Sequence, residues 1–427
     1  MNTWTFSLIL SLGLLGRLAA AAPTLSYNSE IRSALRHLER SQIQERGAYD
    51  PGQWPTTVTS LRLPALVGVG RWGKPYEEAT VFTTASIVDI LKDMHREAPE
   101  LEIIPALVEK AEAGFAPYHV GPFFNFYPLR KRNGVWVRGP RRFKIPRFFL
   151  GLAHIPPDAD TTSVTYMALR APLPEPVIQA FSRFRDVERK PHFYNRDAGN
   201  INTGAFLTWL MDETDPSMPR RYWSPEAGAR VPFGRNDVDC IVNANVLKLL
   251  TYHQLTQVPG YQDSCRLLET AIRKEDYGYC GIYYPTDYLL ALRIGELKEL
   301  GAVCLRAQEP EVLRYLLRTQ APEGSWSNVR PNDPDPIQST ALAVNALMLL
   351  GDKENPVHRR SVSRGVHYLL THSARDAKGN LYWHGQVYFS AIALARHTVL
   401  WRSTSYTTAL AAQALLRAQS FLNPARP

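Results

Sequence analysis

The chain has 427 residues, 45% of them hydrophobic and 21% charged, an ordinary globular balance, with a mean hydropathy of −0.24. These values exclude global disorder, a collagen-like chain, a coiled coil and a polytopic membrane protein, because no segment past the N-terminus offers the ~20 continuous apolar residues of a span. The net charge of +9 admits nucleic acid, an anionic membrane surface or a phosphorylated substrate as partner.

In chain order, Phe6 to Gly16 is an apolar run followed by Leu18-Ala19-Ala20-Ala21-Ala22-Pro23. An h-region of this length before small residues reads as a secretory signal over residues 1–22 and is too short to span. A retained N-terminal anchor is the main alternative, and a cytosolic protein with an apolar start the lesser one. The first two predict a secreted or periplasmic protein, with peripheral membrane contact possible.

From 25 to 427 the dominant period is helical. One pattern recurs at Phe82, Asp160, Asp237, Asp335 and Ser403: a turn with acids or hydroxyls, then an apolar helix interleaved with small residues. Asp, Ser and Thr at such starts are good N-caps, since their side chains satisfy orphan helix amides. Between these lie amphipathic helices such as Glu309–Thr319 and Pro356–His372. Alternation of the two types at quasi-regular spacing predicts stacked helix pairs. Small-residue helices crowd around an axis and amphipathic ones cover them. The expectation is an all-α chain forming one (α/α)6 toroid of about six hairpins.

Between 117 and 191 eleven prolines and the segment Gly121–Pro128 (GPFFNFYP) break the rhythm, predicting an irregular insertion over about 117–160. Here Arg130, Lys131, Arg132, Arg138, Arg141, Arg142, Lys144 and Arg147 follow one another with no acid among them. No basic helix at groove-reading spacing accompanies them, which argues against nucleic acid. A solvated loop and a contact to a diphosphate or lipid headgroup, with Arg141 and Arg142 central, are the two readings left. The four cysteines, Cys240, Cys265, Cys280 and Cys304, form no CxxC and no Cys/His cluster at zinc spacing, so no metal site is expected. One or two disulfides are possible in an exported chain.

Two motifs carry chemistry. Gln320-Ala-Pro-Glu-Gly324-Ser325-Trp326, preceded by the helix ending Tyr315 to Thr319, has the form Q-x3-G-x-W. Gln42 to Trp54 and Gly379 to Trp383 read as degenerate relatives of it. Asp158-Ala159-Asp160-Thr161-Thr162-Ser163 places two carboxylates and two hydroxyls at a helix start. By residue type alone the two acids could cap that helix. The same string also fits the D-x-D-x-T form of haloacid dehalogenase-like phosphatases, although Pro156-Pro157 precedes it rather than a buried strand. Asn236-Asp237-Val238-Asp239 is a second acidic pair at a helix start, read as a cap, an auxiliary cavity carboxylate or an alternative acid.

Together the Q-x3-G-x-W and D-x-D-T-T strings resemble the QW and acid motifs of the class II terpene cyclases and squalene cyclases, in the form seen in bacterial drimane-type cyclases. The resemblance implies a toroid in which a linear isoprenoid, farnesyl or another prenyl diphosphate among the options, is cyclised by protonation of an alkene. An alkene is a very weak base, so the acid must be a neutral carboxyl in a dry site. Asp160 would be the donor, and Asp158 would keep it protonated by repulsion. Thr161, Arg141, Arg142, Phe124, Tyr166, Trp209, Asp237 and Asp239 are the candidate substrate contacts. Phe123, Phe126, Tyr127, Tyr283, Tyr284 and Tyr288 are further aromatics whose faces could stabilise cations. His154, His253 and His384 are candidates to support the acid. No cofactor is implied; magnesium would enter only with a diphosphate, since the DDxxD signature is absent and Asp212-Glu213-Thr214-Asp215 lacks its spacing. Two other functions fit a toroid. One is a secreted glycan-active enzyme using Asp158 or Asp160 with Asp237 or Asp239; the other is a non-catalytic lipid- or partner-binding protein. A closed aromatic cavity would favour the cyclase, an open groove with surface Trp the glycan enzyme. Nothing in the sequence sets an oligomeric state.

Overall fold

The computed structural model describes residues 25–47, 49–62, 71–132, 135–139, 155–187, 201–210, 230–231, 234–328, 336–391 and 399–423. The N-terminal segment 1–22, Arg141, Arg142, Lys144, Arg147, His154 and Asp212–Asp215 lie outside these residues.

Twelve α-helices run through the described residues: α1 Asn28–Ser41, α2 Val81–Glu97, α3 Ile103–Ala113, α4 Ala159–Leu169, α5 Glu175–Arg183, α6 Cys240–Tyr252, α7 Tyr261–Arg273, α8 Leu289–Glu299, α9 Glu309–Thr319, α10 Pro336–Leu350, α11 Pro356–Thr371 and α12 Thr404–Leu422. The even-numbered helices pack side by side in sequence, and α12 returns against α2, so the inner ring closes. The odd-numbered helices lie outside it; α1 covers α12, α7 covers α6 and α11 spans α10 and α12. This is the all-α toroid of six hairpins that the alternation of helix types predicts. The two layers differ in chemistry as well as position. Every described side chain of α6 from Cys240 to Thr251 is buried, whereas α7 buries one stripe, including Cys265, Leu268 and Ile272. A helix buried all round needs apolar or small residues on every face, while a covering helix needs them on one.

The Q-x3-G-x-W motif works as a hairpin clamp. Gln320, at the end of α9, donates Nε2–H to Gly324 O (3.0 Å) and to Ser361 O of α11 (2.9 Å). Trp326 donates its indole N–H to Leu316 O at 2.8 Å and its backbone N–H to Thr340 Oγ1 of α10 at 2.9 Å. Gly324 is required on two counts: its φ is +99°, and a Cβ there would stand 2.5 Å from Arg364 O. The Gln42–Trp54 segment, degenerate in sequence, repeats the whole geometry. Gln42 donates to Gly52 O and Leu107 O, both at 2.9 Å, and Trp54 to Leu38 O at 2.8 Å and Thr84 Oγ1 at 3.3 Å. Trp383 repeats the tryptophan half on Leu369 O and Thr408 Oγ1. Phe124 and Phe206 occupy the equivalent backbone position in two further hairpins, donating to Thr162 Oγ1 and Asn243 Oδ1. In each case a buried aromatic fixes a loop to the start of an inner helix. The sequence hides the repeat because the clamp needs a buried aromatic and a helical side-chain acceptor, not fixed letters.

A small antiparallel sheet, absent from the sequence-based expectation, joins the two ends of the chain. Thr57–Arg62 pairs with Val399–Arg402, which pairs with Val387–Ala391; Arg71–Trp72 and Tyr76–Glu77 extend it. The register shifts between Val387 and Phe389, and an irregularity of this kind re-aims side chains. Its strands carry Phe389 and Trp401 to the mouth of the ring. In the insertion about 117–160 the described residues form two short hairpins, His119–Val120 with Phe123–Phe124 and Arg130–Arg132 with Val135–Val137. Among the described residues no helix is long and apolar enough to cross a membrane.

Candidate active site

The site is built where the inner helices start. Pro156-Pro157 keeps the chain extended, and Asp158, at φ −127° and ψ 155°, is the N-cap of α4, its Oδ1 accepting the Thr161 N–H. Ala159 N–H donates to Thr208 O (2.7 Å), Leu210 N–H to Pro157 O (2.8 Å) and Thr208 N–H to Asp237 O (2.9 Å). Asn236 grips Trp209 through both backbone groups. These bonds bring three segments far apart in sequence, 157–160, 208–210 and 236–237, into one patch.

Asp160, in the first turn of α4, points away from its own helix. Its Oδ1 accepts from Asn245 Nδ2 of α6 at 2.6 Å, and its Oδ2 accepts from the Tyr284 hydroxyl. Asn245 in turn accepts Arg293 Nε–H at 2.5 Å. Asp158 and Asp160 are 6% and 4% exposed, and the described residues form no ion pair with either. Burial is therefore the leading influence on both. It lifts the Asp158 carboxyl to about 8, with repulsion from Asp160 adding to it. It lifts Asp160 to about 6, against the bonds from Tyr284 and Asn245 and the charge of Arg293, which favour the carboxylate. Asp158 thus holds the tighter proton of the two, and Asp160 is the stronger acid.

The loop that carries Tyr284 is fastened to the start of α6. Asp239 caps α6 by accepting the Ile241 and Val242 N–H groups, and its other oxygen accepts those of Ile282 and Tyr283. The Cys240–Cys280 disulfide, with Cα atoms 5.6 Å apart, ties the same loop to the same helix end. Cys265–Cys304 links α7 to the turn before α9. Of the second acidic pair, Asp239 is the cap; Asp237 is buried behind the cavity wall, outside its lining, and its Oδ2 accepts the Tyr283 hydroxyl at 2.7 Å.

Asp158 and Asp160 open onto a cavity of about 440 Å3, its mouth included, walled by Phe126, Tyr127, Ile155, Thr208, Trp209, Tyr283, Phe389, Ala391 and Trp401. Phe389 is the hub of the aromatic wall: its ring centroid lies 4.9 Å from Phe126, 5.4 Å from Trp401, 5.5 Å from Tyr284 and 5.9 Å from Tyr283. Ring faces stabilise cations, more so in a desolvated site.

Of the residues singled out from sequence, Trp209 lines this cavity and Thr161 supplies a backbone donor to Asp158. Phe124 and Tyr166 pack edge-on to each other at 5.3 Å beside the cavity, where Phe124 serves as a hairpin clamp and Tyr166 donates to Pro122 O. Tyr288 lies tilted against Tyr315, outside the cavity walls. His253 follows the far end of α6, and His384 lies edge-on to Tyr382; the groups that hold the acid are Tyr284 and Asn245. Asn245, Arg293, Phe389 and Trp401 are the residues that sequence reasoning missed. A signal existed for Asn245, a polar residue inside the small-residue helix that follows Asp237. Among the described residues no group of three or more His, Cys, Asp or Glu side chains could hold a metal ion.

Comparison with known proteins gives the architecture its class. No protein-family model and no curated protein matches the sequence. Solved structures do. The apo type II terpene cyclase MstE from Scytonema aligns with a TM-score of 0.55 at 14% identity, covering 92% of this chain and 98% of that one. A variant of the same cyclase in complex with geranylgeranyl dihydroxybenzoate, its substrate, aligns at 0.54, with 14% identity and coverage of 92% and 98%. A protein from Actinoplanes aligns at 0.53, again at 14% identity, covering 92% of this chain and 99% of that one. The fold is that of the type II terpene cyclases.

Proposed function

We propose that the protein is a protonation-initiated cyclase of a linear isoprenoid, with Asp158 and Asp160 as its acid. The observation that carries this reading is a pair of buried carboxyls, without a paired cation among the described residues, facing an aromatic cavity. Asp160 gives its proton to a terminal alkene. A very weak base is best served by the stronger acid of the pair, and the carboxylate left behind is held by Tyr284 and Asn245. Asp158, with its higher proton affinity, is the store from which Asp160 is recharged. Phe389, Phe126, Trp401 and Trp209 face the cation that results. The cavity wall is mostly aromatic and aliphatic, which weighs against a glycan substrate.

The basic hairpin Arg130–Arg132 and Val135–Val137 supports a polar end for that substrate near the mouth. It exposes Trp136, and Arg138 O accepts the N–H of Ile155 in the cavity wall. Arg141 and Arg142 continue the run and would hold a diphosphate or lipid headgroup, giving the exported protein a peripheral contact with membrane isoprenoids. The test is incubation with farnesyl diphosphate, geranylgeranyl diphosphate and squalene, followed by mass spectrometry. A cyclic product absent from Asp160→Asn is expected; the same product from both would end the reading. Charge reversal of Arg141 and Arg142 should weaken substrate or anionic-liposome binding, less so at high salt.

A further inference from the structure

We infer that Tyr283, backed by Asp237, is the base that ends the reaction by removing a proton from the cyclised cation; this rests on the function proposed above. Among the described residues lining the cavity, Tyr283 is the hydroxyl bonded to a carboxylate, donating to Asp237 Oδ2 at 2.7 Å. Its position is fixed from every side. The backbone N–H donates to Asp239 Oδ2 at 3.0 Å, the carbonyl accepts from Ser390 N–H and Oγ–H at 2.7 and 3.1 Å, and the ring lies parallel to Phe389 and edge-on to Trp209. Asp237 is itself 5% exposed, so this bond is shielded from solvent.

The chemistry balances without any outside reactant. A C–H bond next to the cationic carbon breaks, and its electron pair becomes the π-bond of the product. The proton goes to Tyr283 Oη, whose own proton passes along the existing bond to Asp237 Oδ2. Asp237 returns that proton to water after product release, while the Asp158–Asp160 pair takes one up. A carbocation is acidic enough for a neutral phenol to suffice as acceptor, and the carboxylate behind it prevents a phenol-oxonium from forming. Acid and base are thus different groups on neighbouring helix starts, and their placement around the cavity selects which hydrogen is lost.

The test uses whichever of the three probe substrates the unsubstituted chain converts. Tyr283→Phe and Asp237→Asn should both keep a native melting curve and most of the substrate consumption. The share of the normal alkene should fall about tenfold in favour of isomers or water-quenched alcohols, in line with the loss of a general base. Asp237→Asn is the sharper variant, because Asn can still accept the tyrosine's bond. A merely structural bond survives in it and predicts normal products. Tyr252→Phe, at the exposed far end of α6, should leave the products unchanged. Normal products from folded Tyr283→Phe and Asp237→Asn would overturn the inference alone. Loss of all substrate consumption in those variants would also overturn it, by moving the acid to Asp237. Failure of the unsubstituted chain to cyclise any probe would overturn the proposed function as well.

Discussion

At the start of the inner helices Asp158 and Asp160 are buried among aromatic rings. About two turns further along the same ring, Asp89 of α2 and Glu296 of α8 are buried comparably deeply, but among cations. Lys248 Nζ lies 2.8 Å from Asp89 and 3.2 Å from Glu296, Arg170 lies 2.8 Å from Asp89, and Arg293 pairs with Glu296 at 2.5 Å. Burial pushes all four carboxyls up. In the second group the cations more than offset it, so Asp89 and Glu296 are held below their ordinary values, while Asp158 and Asp160 stay raised to about 8 and about 6. Similar burial therefore gives these two pairs shifts of opposite sign, set by the cations around Asp89 and Glu296. Asn245 stands between the two groups, a neutral amide that touches Asp160 on one side and Arg293 on the other. A cation in its place would turn the acid into a permanent carboxylate.

The largest test of this contrast is Asp160→Asn against Asp89→Asn. The first removes the transferable proton and should lower cyclisation at least ~10²- to 10⁴-fold with the melting temperature kept. The second should leave activity per folded molecule near normal and lower stability. Product assays and melting curves on both variants separate the two. Asp158→Asn should be milder in activity than Asp160→Asn, since it removes the store and not the donor.

Lys248→Met comes next. It strands Asp89 and Glu296 with fewer cations, and breaking a buried pair from one side costs about 3–5 kcal/mol. Denaturant unfolding should register that loss, with the cavity's product profile unchanged in the folded fraction. A gain in stability would mean that desolvation of the ion lattice outweighs its attraction.

The pH dependence separates the groups by sign. The acid pair's folded values are raised, so its contribution to stability is fully present below about 4, the unfolded Asp value. It is lost as pH rises through about 6 and then about 8. Asp89 and Glu296 are lowered, so theirs is present above about 4 and lost as pH falls below it. Cyclisation should decline over the same rise from about 6 to about 8. Melting curves across pH should show the alkaline limb flatten in Asp158→Asn and Asp160→Asn and the acid limb persist.

The smallest expected effect is Tyr284→Phe. Loss of its bond to Asp160 raises that carboxyl further and destabilises the carboxylate left after proton transfer. A turnover number about tenfold lower, with the decline in rate displaced to higher pH and KM little changed, is expected from a bond to a charged acceptor. An unchanged pH profile would mean that Tyr284 only fills space.

Much of this protein was readable residue by residue. Helix type follows from which faces carry apolar residues, so α9 and α11 and the alternation that makes a toroid could be read directly, as could the caps at Asp158 and Asp239. The acid pair was visible as two Asp residues two positions apart at a helix start, but its reading as an acid came from the family resemblance, since by residue type alone the pair reads as a cap. What the sequence could not carry was anything that depends on closure of the ring. Val387–Ala391 and Thr57–Arg62 reach one sheet through Val399–Arg402 only because α12 returns to α2, and that closure sets Phe389 at the centre of the cavity. Phe124 and Phe389 are the same residue type in similarly apolar strings, yet one clamps a hairpin and the other walls the site. The protonation of the acids was equally hidden. Asp160 and Asp89 each sit in an inner helix, and their difference lies in whether a Lys or Arg from another helix arrives within a few ångströms. Local propensity and periodicity are set by neighbours in the chain; charge pairing and cavity walls are set by neighbours in space, and only the folded ring supplies those.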